Sequence, residues 1–113
     1  MKSYIKTTAG FVLSATMATA SFGATVNVGE LQGFTGPLES MIGPMSDGAN
    51  LAVTEANASG KYLQGTINVV QGDSVCIDAA VAIAEATRLI NDESVMAIMG
   101  PNCSGNTGAV ITN

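Results

Sequence analysis

The apolar run Val95–Met99, broken at Gly100-Pro101 and followed by Asn102-Cys103-Ser104-Gly105, constrains this chain more than any other stretch. An unbroken run of that length suits a strand covered on both faces, as in a parallel sheet flanked by helices. In open parallel sheets, ligands sit beyond the carboxyl ends of the strands. Asn102, Cys103 and Ser104 fall at such an end, and the same loop holds one of the two cysteines in the chain.

The residues before this run alternate in a matching way. Thr25–Leu31, with Val26, Val28 and Leu31, reads as a first strand that Gly33-Phe34-Thr35-Gly36-Pro37 terminates. A helix is expected from Met41 or Met45 to Ala58, because Met45, Ala49, Ala52, Val53 and Ala56 share one helical face. Gly60 stands where a left-handed residue would end it. Thr66–Val70 reads as the second strand. Asp78 is placed to cap a helix over Ala79–Asn91, whose expected buried face is Ala79, Ile83, Ala86 and Ile90. A third helix is expected from Gly105 onward. The β-α-β-α-β-α pattern predicts an α/β fold: a three-layer parallel sheet with helices on both faces. Right-handed crossovers put strand one between strands two and three. A sheet that small has open edges and buries little apolar area per residue, so the chain is expected to be the N-terminal fragment of something longer.

The N-terminus has a different character. Lys2 and Lys6 precede a stretch without charge from Thr7 to Gly29, most apolar at Phe11-Val12-Leu13. Ala18-Thr19-Ala20 and Ser21-Phe22-Gly23 both fit the small-x-small cleavage pattern. Residues 1–24 are therefore expected to be a secretory leader, cleaved near 20–24, with residues 25–113 as the folded part. A membrane-spanning helix is the competing reading, and seven Ser and Thr residues from Thr7 to Thr25 argue against it. After cleavage the chain should be soluble and periplasmic, with no membrane insertion.

Removing the leader leaves Lys61 and Arg88 as the cations against nine acids, a net charge of −7. A chain so acidic has no basic stripe to track a phosphate backbone, which excludes nucleic acid as a natural partner. Histidine is absent, and with it Ser-His-Asp and Cys-His pairs and His-ligated zinc. Two cysteines do not make a four-ligand metal site either. No metal or cofactor is expected, and the chain is not read as an enzyme.

Cys76 and Cys103 fall in the loops after strands two and three. In an exported chain with an even cysteine count a disulfide is the expected state, and two buried free thiols are the alternative. Ser104 has two readings at this level. It is either an N-cap of the third helix, or a hydroxyl that joins the free N–H groups of the first turn in holding an anion. Gly29, Gly33 and Gly36 have the wrong spacing for a dinucleotide loop and instead let the chain turn. Asn57-Ala-Ser59 and Asn102-Cys-Ser104 match the glycosylation sequon by a short pattern that carries no weight here.

Four motifs occur in order at matching spacing: Gly33-Phe34-Thr35-Gly36-Pro37; Gly48-Ala49-x-Leu51-Ala52-Val53 with Asn57-Ala58-x-Gly60; Gly72-Asp73-x-x-Cys76-x-Asp78-Ala79-Ala80; and Ile98-Met99-Gly100-x-x-Cys103-Ser104-Gly105. The series resembles the N-terminal part of the periplasmic leucine/isoleucine/valine-binding proteins, the type I binding proteins that deliver amino acids to ABC transporters. The resemblance implies a partial first lobe of a two-lobed α/β protein. It further implies a Cys76–Cys103 disulfide, a carboxylate-binding role for Ser104, and a side-chain pocket lined near Asn102 and Cys103. Met41 falls near a position that is often a ligand-contacting aromatic. Glu39-Ser40 departs from the better-known members and suits a polar or cationic ligand.

The function so implied is capture of an amino acid or related amide and its delivery to an ABC transporter permease. Two alternatives are a ligand-sensing domain of the same fold feeding a receptor or regulator, and an exported α/β enzyme whose catalytic residues lie elsewhere.

Overall fold

A computed structural model describes residues 23–61 and 65–113. The expected leader lies outside the described residues except for its last two positions. Six elements follow in strict alternation: β1 Thr25–Gln32, α1 Glu39–Ala58, β2 Thr66–Asp73, α2 Ala79–Asn91, β3 Ala97–Met99 and α3 Ser104–Thr112. All strand pairs are parallel and the order is β2-β1-β3, so strand one is central as the crossover rule requires. β1 pairs with β2 along its whole length, from Thr25 opposite Thr66 to Gln32 opposite Asp73.

Alternation along β1 divides the molecule into two interfaces. Leu31 faces α2 and is fully buried with Ala86 and Leu89; Val70, Val95, Ile98 and Val110 pack around them. The expected seam of α2 is thus rotated. Ala82, Ala86 and Leu89 face the sheet, while Ala79 and Ile90 are exposed. The other face of β1 carries Glu30, which is buried under α1. Its Oε2 accepts from Ser46 Oγ at 2.9 Å and from Gln71 Nε2 at 3.1 Å.

That polar contact also resets α1. Ile42 and Ser46 are its buried residues, with Ala49, Val53, Ala56 and Asn57 partly buried along the same face and Ala52 lining the gap beneath the helix, while Met45 points to solvent. A hydrophobicity count turns Met45 inward, whereas the buried carboxylate of Glu30 draws the Ser46 hydroxyl there instead. The helix also starts earlier than expected, at Glu39, and continues through Pro44. Pro44, the sixth residue, has no N–H to give to the Ser40 carbonyl, and the Glu39 carboxylate in the first turn suits the helix dipole. At the far end of α1, Asn57 holds β2: its Nδ2 donates to the Ile67 carbonyl at 2.9 Å and its Oδ1 accepts from the Ile67 N–H at 2.8 Å.

Two other expectations are corrected at β3. β3 is three residues long, not five, and its apolar run is not covered on both faces: Met96 is 77% and Met99 43% exposed. Among the described residues β3 pairs with β1 alone, and α1 lies over β1 and β2, so Ala97 and Met99 stand at the rim. The start of α2 is as expected. Asp78 Oδ1 accepts from the N–H groups of Ala80 at 2.8 Å and Val81 at 3.4 Å. Asp78→Ala should therefore lower unfolding free energy by about 1 kcal/mol in a urea titration. The same loss from Asp78→Asn would show that charge, not the cap, matters there.

Candidate functional site

The carboxyl ends of the three parallel strands lie along one edge, and the loops that leave them are tied to one another. Cys76, after β2, is bonded to Cys103, after β3, with the two Cα atoms 5.5 Å apart. The backbone N–H of Gly33, after β1, donates to Asn102 Oδ1 at 3.1 Å. Ser74 bridges in both directions: its N–H donates to the Gln32 carbonyl at 2.7 Å, and its carbonyl accepts from Asn106 Nδ2 at 2.8 Å. Asn106 is 3% exposed, so α3 is pinned to the end of β2 by a buried hydrogen bond.

Asp73 completes the set. Its carboxylate accepts from the Thr35 hydroxyl at 2.6 Å, the Thr35 N–H at 3.3 Å and the Val75 N–H at 2.9 Å. Burial is the largest single influence on this carboxyl and pushes its pKa up. The bonds from Thr35, Val75 and the Phe34 N–H together outweigh it and leave the group below the ordinary value of 3.8. A depressed carboxyl stabilises the fold above its unfolded-state pKa, and that contribution fades as pH falls from 3.8 through the lower folded-state value. Asp73→Asn should thus cost stability at pH 7 and progressively less toward pH 3, as read by chemical denaturation at each pH. A difference that is constant across that range would contradict this.

Tight backbone geometry accompanies the ties. Val75 and Cys76 both have positive φ, 48° and 69°, an unusual state for a β-branched residue. Gly36, at φ +93°, passes so close to the Val75 carbonyl that a Cβ would sit 2.6 Å from its oxygen. Gly100, at φ +114°, passes the Leu31 carbonyl with no room for a Cβ at all. Glycine is required at both positions.

Beyond the end of β3, Ser104 is the first residue of α3, and Cys103 takes the N-cap position with extended backbone and no side-chain cap bond. The N-cap reading of Ser104 is therefore corrected. Its side chain is exposed and stands one position inside the helix, next to first-turn N–H groups that have no acceptor within the helix. Thr107 Oγ1 donates to the Pro101 carbonyl at 2.8 Å and steadies the turn from behind.

The β3–α3 loop thus brings Asn102, Cys103 and Ser104 together as their order implies, but with different duties. Asn102 is half-buried and its oxygen is spent on Gly33; Cys103 is half-buried in the disulfide; Ser104 is open. Met41 lies in the first turn of α1 and is 59% exposed. The topology puts that turn on the same sheet edge, with no hydrogen bond joining it to the β3–α3 loop. Cavities of about 320 Å³ between α2 and α3 and about 190 Å³ beneath α1 are lined by none of these four residues. The edge is an open shelf. Ser74, Asn106, Asp73 and Gln32 were not foreseen as part of it. The signal was available for Asn106, a lone amide in the first turn of a small, apolar helix. Among the described residues no cluster of three or more His, Cys, Asp or Glu could hold a metal, and no helix is long and apolar enough to cross a membrane.

An open parallel sheet with helices on both faces gathers its connecting loops at the carboxyl edge, where ligands of such folds sit. Comparison with known proteins agrees. The profile of the periplasmic binding protein family matches residues 25–113, and the chain belongs to that family. The Leu/Ile/Val-binding protein homolog 7 of Brucella abortus (strain 2308) is 40% identical over 86 residues, covering 76% of this chain and 21% of the relative. The chain thus spans about a fifth of that relative's length. Among solved structures, the branched-chain amino acid transporter substrate-binding protein LivJ from Streptococcus pneumoniae, in complex with isoleucine, superposes with a TM-score of 0.71 at 32% identity. That match covers 79% of this chain and 25% of LivJ. A possible leucine/isoleucine/valine-binding protein from Rhodopirellula baltica SH 1 shares the fold with a TM-score of 0.73 at 21% identity, over 84% of this chain and 26% of that one.

Proposed function

We propose that this chain is part of an exported solute-binding protein that captures an amino acid or related amide and delivers it to an ABC transporter permease. The observation that carries the reading is the exposed Ser104 hydroxyl beside the free N–H groups of α3, on an edge locked by the Cys76–Cys103 bond. A ligand α-carboxylate there accepts from the hydroxyl and from the first-turn N–H groups, in the favourable field of the helix start. Met41 in the first turn of α1 and the Asn102–Cys103 backbone bound the ligand side chain. Asn102 acts mainly through position, holding the β1 exit against β3 through Gly33. A second lobe closes over the shelf, and the closed form is what a permease recognises. Residues 1–24 direct export to the periplasm.

Binding of this kind does no covalent chemistry. It needs rigidity where the carboxylate lands, and the ties among the three loops supply it. Support for the solute class comes from the relative named as a Leu/Ile/Val-binding protein homolog and from the isoleucine-bound LivJ neighbour. Calorimetric titration of the complete protein that contains these residues, with a panel of free amino acids and their methyl esters, tests the reading. At least one free acid should bind, and its ester should bind at least about 10-fold more weakly, since a charge-assisted bond is lost. Equal binding of acid and ester would overturn the carboxylate role.

A further inference from the structure

By its own residues α3 is a weak helix. Ser104–Thr112 contains Gly105 and Gly108 and the β-branched Thr107, Val110, Ile111 and Thr112, all poorer helix formers than alanine. A Cβ at either glycine would meet nothing within 4 Å, so neither is there for close packing. Cys103 at the N-cap makes no side-chain cap bond. A helix of this kind does not fix its own first turn, and the direction in which that turn faces is set by contacts with the rest of the lobe.

Those contacts lie on one face. Asn106 and Val110 are one helical turn apart and point the same way. Val110 packs against Leu31, Ala86 and Leu89, and the buried Asn106 donates from Nδ2 to the Ser74 carbonyl at 2.8 Å. Ser74 is fully buried, and its N–H donates to the carbonyl of Gln32 at 2.7 Å, so the acceptor is fixed to the end of the central strand. Ser104 precedes Asn106 by two residues, which is about 200° around the helix axis. The rotation of α3 that buries Asn106 is therefore the one that turns Ser104 to the open edge. Apolar packing such as that of Val110 is non-directional and tolerates small rotations, whereas a hydrogen bond weakens as its angle opens.

Resting on the binding-protein reading above, we propose that Asn106 is a positioning residue for carboxylate capture: through Ser74 it sets the rotation of α3, and so the aim of the Ser104 hydroxyl and of the first-turn N–H groups. Asn106 does not touch the ligand. Its contribution is to hold the groups that do within the narrow tolerance that a directional contact requires.

Calorimetric titration of the complete protein with the common free amino acids, and with the methyl ester of the one that binds tightest, tests this. Asn106→Leu keeps the side-chain size and removes the donor. It should weaken binding of the free acid about 10-fold and of the ester less than about 2-fold, because the ester draws little on the carboxylate contacts. In a Ser104→Ala background the same change should weaken the acid by a smaller factor, since both residues serve one contact. Asn106→Ala carries the test if the leucine variant does not unfold cooperatively. Acid and ester weakened by the same factor would make Asn106 a purely structural residue, and unchanged acid affinity in a folded variant would remove it from the site. Either result overturns this assignment and leaves the binding-protein reading standing. Absence of binding by any amino acid overturns both.

Discussion

Replacing Cys76 and Cys103 together by serine should lower the unfolding free energy by about 3–4 kcal/mol, the largest stability effect expected of any change at the site. The two residues are separated by 27 positions, and cross-linking a loop of that length restricts the unfolded chain by about that amount in the chain-entropy picture. The bond has a second consequence, because it ties the loop after β2 to the N-cap of α3. Its loss frees the turn that presents Ser104 and loosens the contact of Asn102 with Gly33. Ligand affinity should therefore fall along with stability. Urea denaturation of the oxidised and reduced wild type and of the double variant measures the first effect, and titration of the same samples the second. A stability change below about 1 kcal/mol would mean that the hydrogen bonds of Ser74, Asn106 and Asp73 already hold the loops.

Ser104→Ala should weaken binding about 10- to 100-fold, as expected from the loss of one charge-assisted hydrogen bond worth about 1.5–3 kcal/mol. Because Ser104 is exposed and not the N-cap, its removal should change stability by no more than about 0.5 kcal/mol. The two readouts are thus expected to separate cleanly. Unchanged affinity would remove Ser104 from the site. A drop in stability of about 1 kcal/mol would restore a capping role that the geometry does not give it.

Much of this architecture was legible in the sequence because it follows from local rules. The β-α-β alternation determined the strand order, and Asp78 before an alanine-rich run marked the start of α2. The Cys76–Cys103 pairing followed from two cysteines in adjacent loops of a chain expected to be exported. What escaped was set by contacts between distant residues. Ser46 rather than Met45 faces the sheet because Glu30, sixteen positions earlier, needs a donor. Ala82 and Leu89 rather than Ala79 and Ile90 face it because Leu31 fills the groove there. The Val95–Met99 run looked like a strand covered on both sides, but apolar character does not tell a central strand from one at the rim.

The site divides the same way. Asn102, Cys103 and Ser104 follow from the strand-loop-helix pattern, and the positions of all three are as their order implies. Their separate duties depend on partners that no local pattern names: Gly33 for Asn102, Cys76 for Cys103, and open solvent for Ser104.

A crystal structure of the complete protein with its bound solute tests the central claim most directly. The expected result is a ligand between two lobes with its α-carboxylate within hydrogen-bond distance of Ser104 Oγ and of the first N–H groups of α3. A ligand whose carboxylate is held elsewhere, with the Ser104 hydroxyl facing only water, would contradict it.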